Sequence, residues 1–392
     1  MTLDLTARFP LGASVTAADL EDDPHPHLAR LREREPVTWL PALGGWLVTA
    51  RRPALEVMRD ADTYTVDDPR FSTAQVVGPS MLSLDGPAHT RHRDAFARPF
   101  RPARTRERFT RFVEAETDRL VGALAPAGRA ELRGELAGPL AVAVVTEALG
   151  LSGVDAGTVR SWYGAFVEAV SAITAGGAAP ERAGEAYRLL GAAVREAVGA
   201  ARPGSLLAEA AGGGLRAPEV VANAAILMFG GIDTTEGMIA NAALHLLGHP
   251  DQLRLVRDDP GRLPAAIEES LRLEPAASVV DRYATRDARL GDADVRAGDL
   301  VRVSIAGAGR DPSVFPDPDR YDVRRRNAAE HLAFAHGPHF CFGAHLARLE
   351  ARTALTALLD RLPGLRLDPS RPARPRGLVF RKPPRLDVRW EA

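Results

Sequence analysis

The sharpest chemistry in this 392-residue chain belongs to its single cysteine, Cys341. It lies in the stretch Phe334-Ala335-His336-Gly337-Pro338-His339-Phe340-Cys341-Phe342-Gly343, directly ahead of a run at 344–359 in which Leu346, Leu349, Thr353 and Leu358 recur at helical spacing. The sulfur therefore sits at a helix start, where unpaired amides and the positive end of the dipole favour a thiolate, lowering the pKa as a metal ligand needs. Gly337 and Gly343 permit a tight turn and close approach of the backbone to a flat ligand. Without context, a lone cysteine is more often a small core residue. A zinc site with His336, His339 or His345 is a second alternative, disfavoured because structural zinc takes several cysteines at paired spacings.

A second place combines an acid with an alcohol. Gly230-Gly231-Ile232-Asp233-Thr234-Thr235 lies within a helical pattern that opens at Pro218-Glu219, runs to Leu247 and stops at Gly248 and Pro250. That helix spans roughly 45 Å, enough to cross a domain. The glycines weaken it and the threonine hydroxyls can bond back to the preceding turn, so a local distortion is expected. Alone, the glycines read as a packing notch and Asp233 as a solvated acid. Glu269 and Arg272, three apart on one helical face, read alone as a surface ion pair worth a few tenths of a kcal/mol.

The elements that must position these groups are mainly helical. A short helix at 26–33 and a hairpin, 37–40 and 46–49 flanking Gly44-Gly45, precede periodic apolar runs at 53–59, 88–96, 105–124, 140–149, 159–171 and 180–200. Two long interruptions, 63–86 and 175–180 with its Gly176-Gly177 pair, read as lid or binding loops. Beyond Leu290, alternating runs at 301–305 and 386–390 read as small strands. No repeat or linker divides residues 1–392, so one domain is expected, mainly α with small β-sheets.

Composition excludes several classes. The hydrophobic content of 45% and charged content of 26% are those of a folding chain. A net charge of -1 gives no global reason to bind nucleic acid or an anionic membrane. Lys382 is the only lysine among 50 basic residues, which reads as genome composition. One cysteine rules out an internal disulfide framework and thiolate-rich clusters, in keeping with a cytoplasmic protein. The first fourteen residues alternate polar and apolar, and later apolar runs are broken, as by Glu147 or Asn223, so no signal peptide or membrane anchor is expected.

With these residues in view, the cysteine stretch resembles the haem-binding loop of the cytochrome P450 family, soluble bacterial type: Phe, then Gly or Ser, two positions ending in Gly, then Cys and Gly. Ala335 departs from the usual Gly or Ser, a small-for-small change expected to matter little. The resemblance covers about 22–390 and implies the family's fold, with haem b (iron protoporphyrin IX) between the long helix and the cysteine loop. It implies Cys341 as the iron's thiolate ligand, Phe334 packed near the sulfur, and Gly343 in the haem-binding turn. Gly230 then stands in the oxygen-binding groove, with Asp233 and Thr234 as an acid–alcohol pair delivering protons. Glu269 and Arg272 match the family's Glu-x-x-Arg motif, and Arg320 in Pro318-Asp319-Arg320-Tyr321 is the implied third member of a structural network. His89, Arg93, Arg282 and His339 are the implied propionate contacts, with Arg91 and His92 weaker candidates.

By family order, substrate contacts fall on Val76, Val77, Met81, Leu82, Phe166, Phe229, Val279, Val280, Val379 and Phe380, an apolar set suited to a hydrophobic small molecule. The implied activity is monooxygenation, most simply hydroxylation in secondary metabolism. Dioxygen is the oxidant, and a ferredoxin or flavodoxin with its reductase supplies two electrons. Arginines between Arg101 and Arg111 read either as a docking face or simply as a solvated helix face. Oxidative coupling and peroxide use remain open within the family, although Asp233 and Thr234 argue against an obligate peroxide user. A non-catalytic haem sensor, the alternative from another class, would need no acid–alcohol pair.

Overall fold

The computed structural model describes residues 4–151, 153–174, 177–200 and 206–391. Its axis is the 32-residue helix Ala217–Gly248, the central helix, which begins and ends within a residue of the expected signals. Pro218 occupies its first turn, and Glu219 reaches back to the Arg216 amide, so side chains meet part of the helix start. The helix is apolar on nearly every side, as burial requires. Gly138–Leu149, Glu181–Gly199, Leu263–Leu273 and Ala344–Arg361 pack around it.

Two apolar clusters meet along this axis. Val145, Leu149, Phe166, Leu190, Ala225, Phe229 and Ile232 gather at its N-terminal half. Leu140, Val144, Met238, Leu246, Leu271, Leu349 and Leu355 gather at its C-terminal half. Each large side chain among them contributes about 1.5–3 kcal/mol on burial. Leu227 of the central helix and Phe342 of the cysteine loop touch both clusters, so the cysteine loop is docked at their junction.

The expected hairpin forms from Val37–Leu40 and Gly45–Val48, in register Val37 to Val48 and Leu40 to Gly45, with Gly44 left-handed at the turn (φ 59°). It belongs to a five-stranded sheet continued by Leu300–Ser304, Val279–Ala284 and Tyr64–Thr65, antiparallel except where Gly45–Val48 meets Leu300–Ser304. Asp387–Arg389 lies between Arg129–Glu131 and Arg366–Leu367 in a smaller sheet.

Three differences from the sequence reading have physical causes. Val279–Ala284 was not expected as a strand because Asp281 and Arg282 interrupt its apolar run. In the sheet, however, Asp281 lies opposite Arg302 and binds it at 2.6 Å, a cross-strand ion pair that compensates. The stretch 63–86 is not wholly irregular, since it carries Tyr64–Thr65 and the helix Ser72–Val77. The central helix runs unbroken through Gly230-Gly231, because packing on both sides outweighs the glycine penalty. Of the second expected loop, Ala175 and Gly176 lie outside the described residues.

Candidate active site

The cysteine loop is closed by its own backbone. Cys341 donates its amide to Phe334 O at 2.9 Å, and Phe340 donates to Gly337 O at 3.0 Å. Gly337 has φ +72°, and a β-carbon there would stand 2.3 Å from Met58 O, so both conformation and close approach demand glycine. Ala335 also has positive φ, 57°. A β-carbon in this region costs about 1–2 kcal/mol, so Ala in place of Gly is not the neutral change expected, whereas Ser would bear the same cost. Phe334 packs on the larger cluster with the Arg348 guanidinium 4.4 Å over its ring.

The Cys341 sulfur stays accessible although protein crowds it, and Ala344–Arg361 starts three residues on. Burial pushes the thiol up, while the Gly343 amide, Arg93, Arg348 and the Ala344 amide pull it down without prevailing. The lowered pKa expected from the helix start is thus overturned by desolvation; coordination to a metal cation would deprotonate the thiol regardless. Among the described residues, His336, His339 and His345 do not join Cys341 in a three-ligand cluster.

The central helix opens a notch of its own. Gly230 is exposed on an otherwise buried helix, and a β-carbon there would meet nothing within 4 Å. One turn later the Thr234 hydroxyl donates to Gly230 O, the back-bond foreseen from the sequence. Asp233 is buried and turned the other way, toward Lys382, with the Tyr163 hydroxyl also beside it. Burial and the Asp233 charge push the Tyr163 phenol up.

A cationic corner adjoins the cysteine loop. The rings of His89 and His339 lie 4.4 Å apart, His89 Nε2 is buried without a partner, and Arg93 donates to Phe340 O. Arg282 is 5% exposed, and among the described residues no carboxylate salt-bridges it; one of its nitrogens donates to Asp281 O. Burial, with help from His339 and Arg93, drives His89 down to about 4. His339 Nε2 meets Asp85 at 2.8 Å. Burial would raise the Asp85 carboxyl, but His339, Thr65 and the Val66 amide bring it down to about 2. Buried donors short of carboxylate partners are the chemical complement of a dicarboxylate, so the residues present fit a haem edge. Arg91 and His92 are engaged elsewhere, since Arg91 binds Glu219 at 2.7 Å and His92 meets Asn223 at 2.9 Å.

The Glu-x-x-Arg pair is no surface pair. Glu269 and Arg272 are fully buried and joined at 2.7 and 2.8 Å. The third member is Arg325, whose Nε lies 3.0 and 3.1 Å from the Glu269 oxygens. Arg320, the expected partner, is exposed and contributes only its carbonyl, to Arg272 and Arg325. Tyr321 beside it turns inward, so Arg320 on the alternate side faces solvent.

Val76, Val77, Phe166 and Phe229 line a small crevice with Thr73, Val170, Ala225 and Ile226. The Thr73 hydroxyl is buried without a partner. Met81 joins this cluster, Leu82 packs on it, and Phe380 meets Phe229 edge-on at 5.5 Å. Val379 holds the extended segment 379–382, the strap, by accepting the Ser278 amide. Val279 is buried opposite Ser304, whereas Val280 packs on the sheet core, because successive strand residues face opposite ways. Val280 thus leaves the expected set. The sequence reading missed Asp85, Arg325, Thr73, Tyr163 and Lys382. Only Lys382 carried a signal, its uniqueness.

With this geometry, the comparisons with known proteins agree. The family model described as Cytochrome P450 matches residues 262–385. Cytochrome P450 monooxygenase PikC of Streptomyces venezuelae is 38% identical, over 95% of this chain and 92% of its own. Nocardicin C N-oxygenase of Nocardia uniformis subsp. tsuyamanensis is 35% identical over the whole of both chains. The crystal structure of CalO2 superposes with a TM-score of 0.86 at 31% identity, covering 95% of this chain and 97% of that one. The chain belongs to the cytochrome P450 family. It is a monooxygenase with a haem-iron cofactor that takes hydrophobic substrates, dioxygen and electrons from redox partners. Among the described residues no helix is long and apolar enough to cross a membrane.

Proposed function

We propose that residues 1–392 work as one cytoplasmic domain that hydroxylates an apolar secondary metabolite, with Cys341 as the thiolate ligand of haem b. The observation carrying this reading is the exposed Cys341 on a loop that also carries His339, beside an unpartnered buried His89 Nε2 and a buried Arg282 without a carboxylate partner among the described residues. When bound, haem supplies the iron at which dioxygen is reduced and split. Gly343 keeps the turn after the sulfur open, and Phe334 fixes the sulfur's position through its carbonyl. His89, Arg93, Arg282 and His339 hold the two carboxylates, each otherwise an uncompensated buried charge.

Gly230 leaves room for the diatomic oxidant, and the Thr234 hydroxyl one turn later carries a proton at its Oγ1. Asp233, its neighbour in the chain, replenishes that proton once it leaves its ion pair, a general-acid role. Phe166, Phe229, Phe380, Val76 and Val77 exclude water and orient the apolar body, and Thr73 offers one hydrogen bond to a polar group on it. A ferredoxin or flavodoxin with its reductase suits the exposed Arg101, Arg104, Arg106 and Arg111; Arg108 turns inward to Ala148 O.

The test is the reduced carbon monoxide spectrum of the native protein against Cys341→Ser. Thiolate ligation red-shifts the Soret band in the first and not the second; the same spectrum in both refutes the assignment. Thr234→Ala should retain that spectrum and lose product per electron by about tenfold or more, and unchanged coupling removes Thr234 from the mechanism.

A further inference from the structure

In a chain that elsewhere uses arginine for every strong cation, the single lysine is buried at the active site. Lys382 is 11% exposed along its side chain, and its Nζ bridges Asp233 Oδ1 at 2.5 Å and Glu236 Oε1 at 3.1 Å, two acids one turn apart on the central helix. Glu236 is also held by Arg133, whose NH1 donates to Pro384 O. Two carboxylates and two cations thus close on themselves, with Asp233 8% and Glu236 5% exposed. A guanidinium would have gripped one carboxylate with its fork. An ammonium is a compact head with three donors that touches both acids and can release one while keeping the other.

The strap carrying it is firmly seated. Arg381 is 2% exposed, binds Glu274 at 2.8 Å and donates to the carbonyls of Glu21 and Gly377. Phe380 and Lys382 each pair in isolated bridges on either side of Arg381, so this extended segment turns both toward the central helix, as alternate residues do. Neither member of the acid–alcohol pair points into the notch: Thr234 is bonded to Gly230 O and Asp233 to Lys382.

We propose that Lys382 is a positioning residue that restrains Asp233 on the strap side of the central helix, holding proton delivery back in the substrate-free enzyme. The proposal rests on the proton role assigned to Asp233. Losing the ammonium frees the carboxylate to swing toward Thr234, a two-position equilibrium biased by one charge-assisted contact. A purely structural staple would lower the melting point without altering how oxygen is consumed.

The experiment needs no knowledge of the substrate. Haem-loaded native enzyme, Lys382→Met, Lys382→Arg, Asp233→Asn and the Lys382→Met/Asp233→Asn double variant are supplied with NADPH, a plant ferredoxin and its reductase, and substrate-free oxygen consumption is measured. Lys382→Met should raise it about tenfold, Lys382→Arg should keep it at the native level, and the double variant should match Asp233→Asn. In thermal melts, the two single substitutions should be markedly non-additive, which reads the contact independently of turnover. No rise in Lys382→Met with its reduced carbon monoxide spectrum intact, a rise that persists without Asp233, or strictly additive melting shifts each overturn the proposal. Asp233→Asn alone should stay near the native level, since the restrained carboxylate delivers little without substrate; product per electron unchanged in Asp233→Asn with a turned-over substrate instead overturns the proton role itself. If Lys382→Met fails to fold, Lys382→Gln makes the same comparison.

Discussion

Replacing Arg325 by methionine should destabilise the enzyme by about 3–5 kcal/mol, and the same change at Arg320 by less than about 0.5 kcal/mol. The asymmetry follows from what each residue gives. Glu269 is wholly buried and accepts five bonds, two from Arg272, two from Arg325 and one from the Asp322 amide. The Arg325 side chain, 8% exposed, also serves the carbonyls of Pro316, Asp317 and Arg320. Methionine keeps much of the volume but strips two of those five bonds, leaving a buried carboxylate with one guanidinium and the Pro316 carbonyl without its donor, while the Asp317 and Arg320 carbonyls keep the Arg320 amide and Arg272. Removing one partner of a buried ion pair costs about 3–5 kcal/mol because it leaves charge uncompensated. Arg320 acts through a main-chain carbonyl that any residue supplies. Urea unfolding followed by helix ellipticity measures both, with equal slopes required for the comparison. Equal losses at the two positions, or a larger one at Arg320, would refute the assignment.

Ala335→Gly should stabilise the fold by about 0.5–1 kcal/mol, the left-handed cost relieved less the added freedom of the unfolded chain; a lower melting point would show that φ 57° is not strained. Glu350 is 3% exposed with one oxygen unpartnered, and burial drives its carboxyl well above the usual range. Its contribution is therefore full below the unfolded value, near 4.5, and is lost as pH rises through the folded one. Glu350→Gln should gain melting temperature relative to the native protein as pH is raised from about 5 to about 9, and a constant gap across that range would show the carboxyl is not buried in this way.

Periodicity located the long helices to within a few residues because core packing and helix propensity agree there, as in Ala217–Gly248 with its proline start and glycine stop. Spacing likewise put Cys341 just ahead of a helix start and Asp233-Thr234 inside the central helix, because a loop and a helix turn fix those residues locally; His89, Arg93, Arg282 and His339 came from the resemblance alone. What stayed hidden depends on partners far apart in sequence. Arg325 and Arg320 are indistinguishable in a string of arginines until Tyr321 turns inward. Val279–Ala284 reads as a strand only once Asp281 finds Arg302. The thiol's direction was misjudged because a helix terminus is visible in sequence and desolvation is not.

Asp85 sits at the end of the stretch between the first sheet and the helix Gly86–Ala97, tied through one carboxylate to Thr65, Val66 and, 254 residues away, His339. Met81 is separately moored by its amide to Asn223. A traveller entering the pocket therefore cannot lift this flap from its base. Passage falls to the piece between the moorings, the short helix Ser72–Val77 with Gly78 as its left-handed pivot. The frame around that piece is bolted to the cysteine loop through His339.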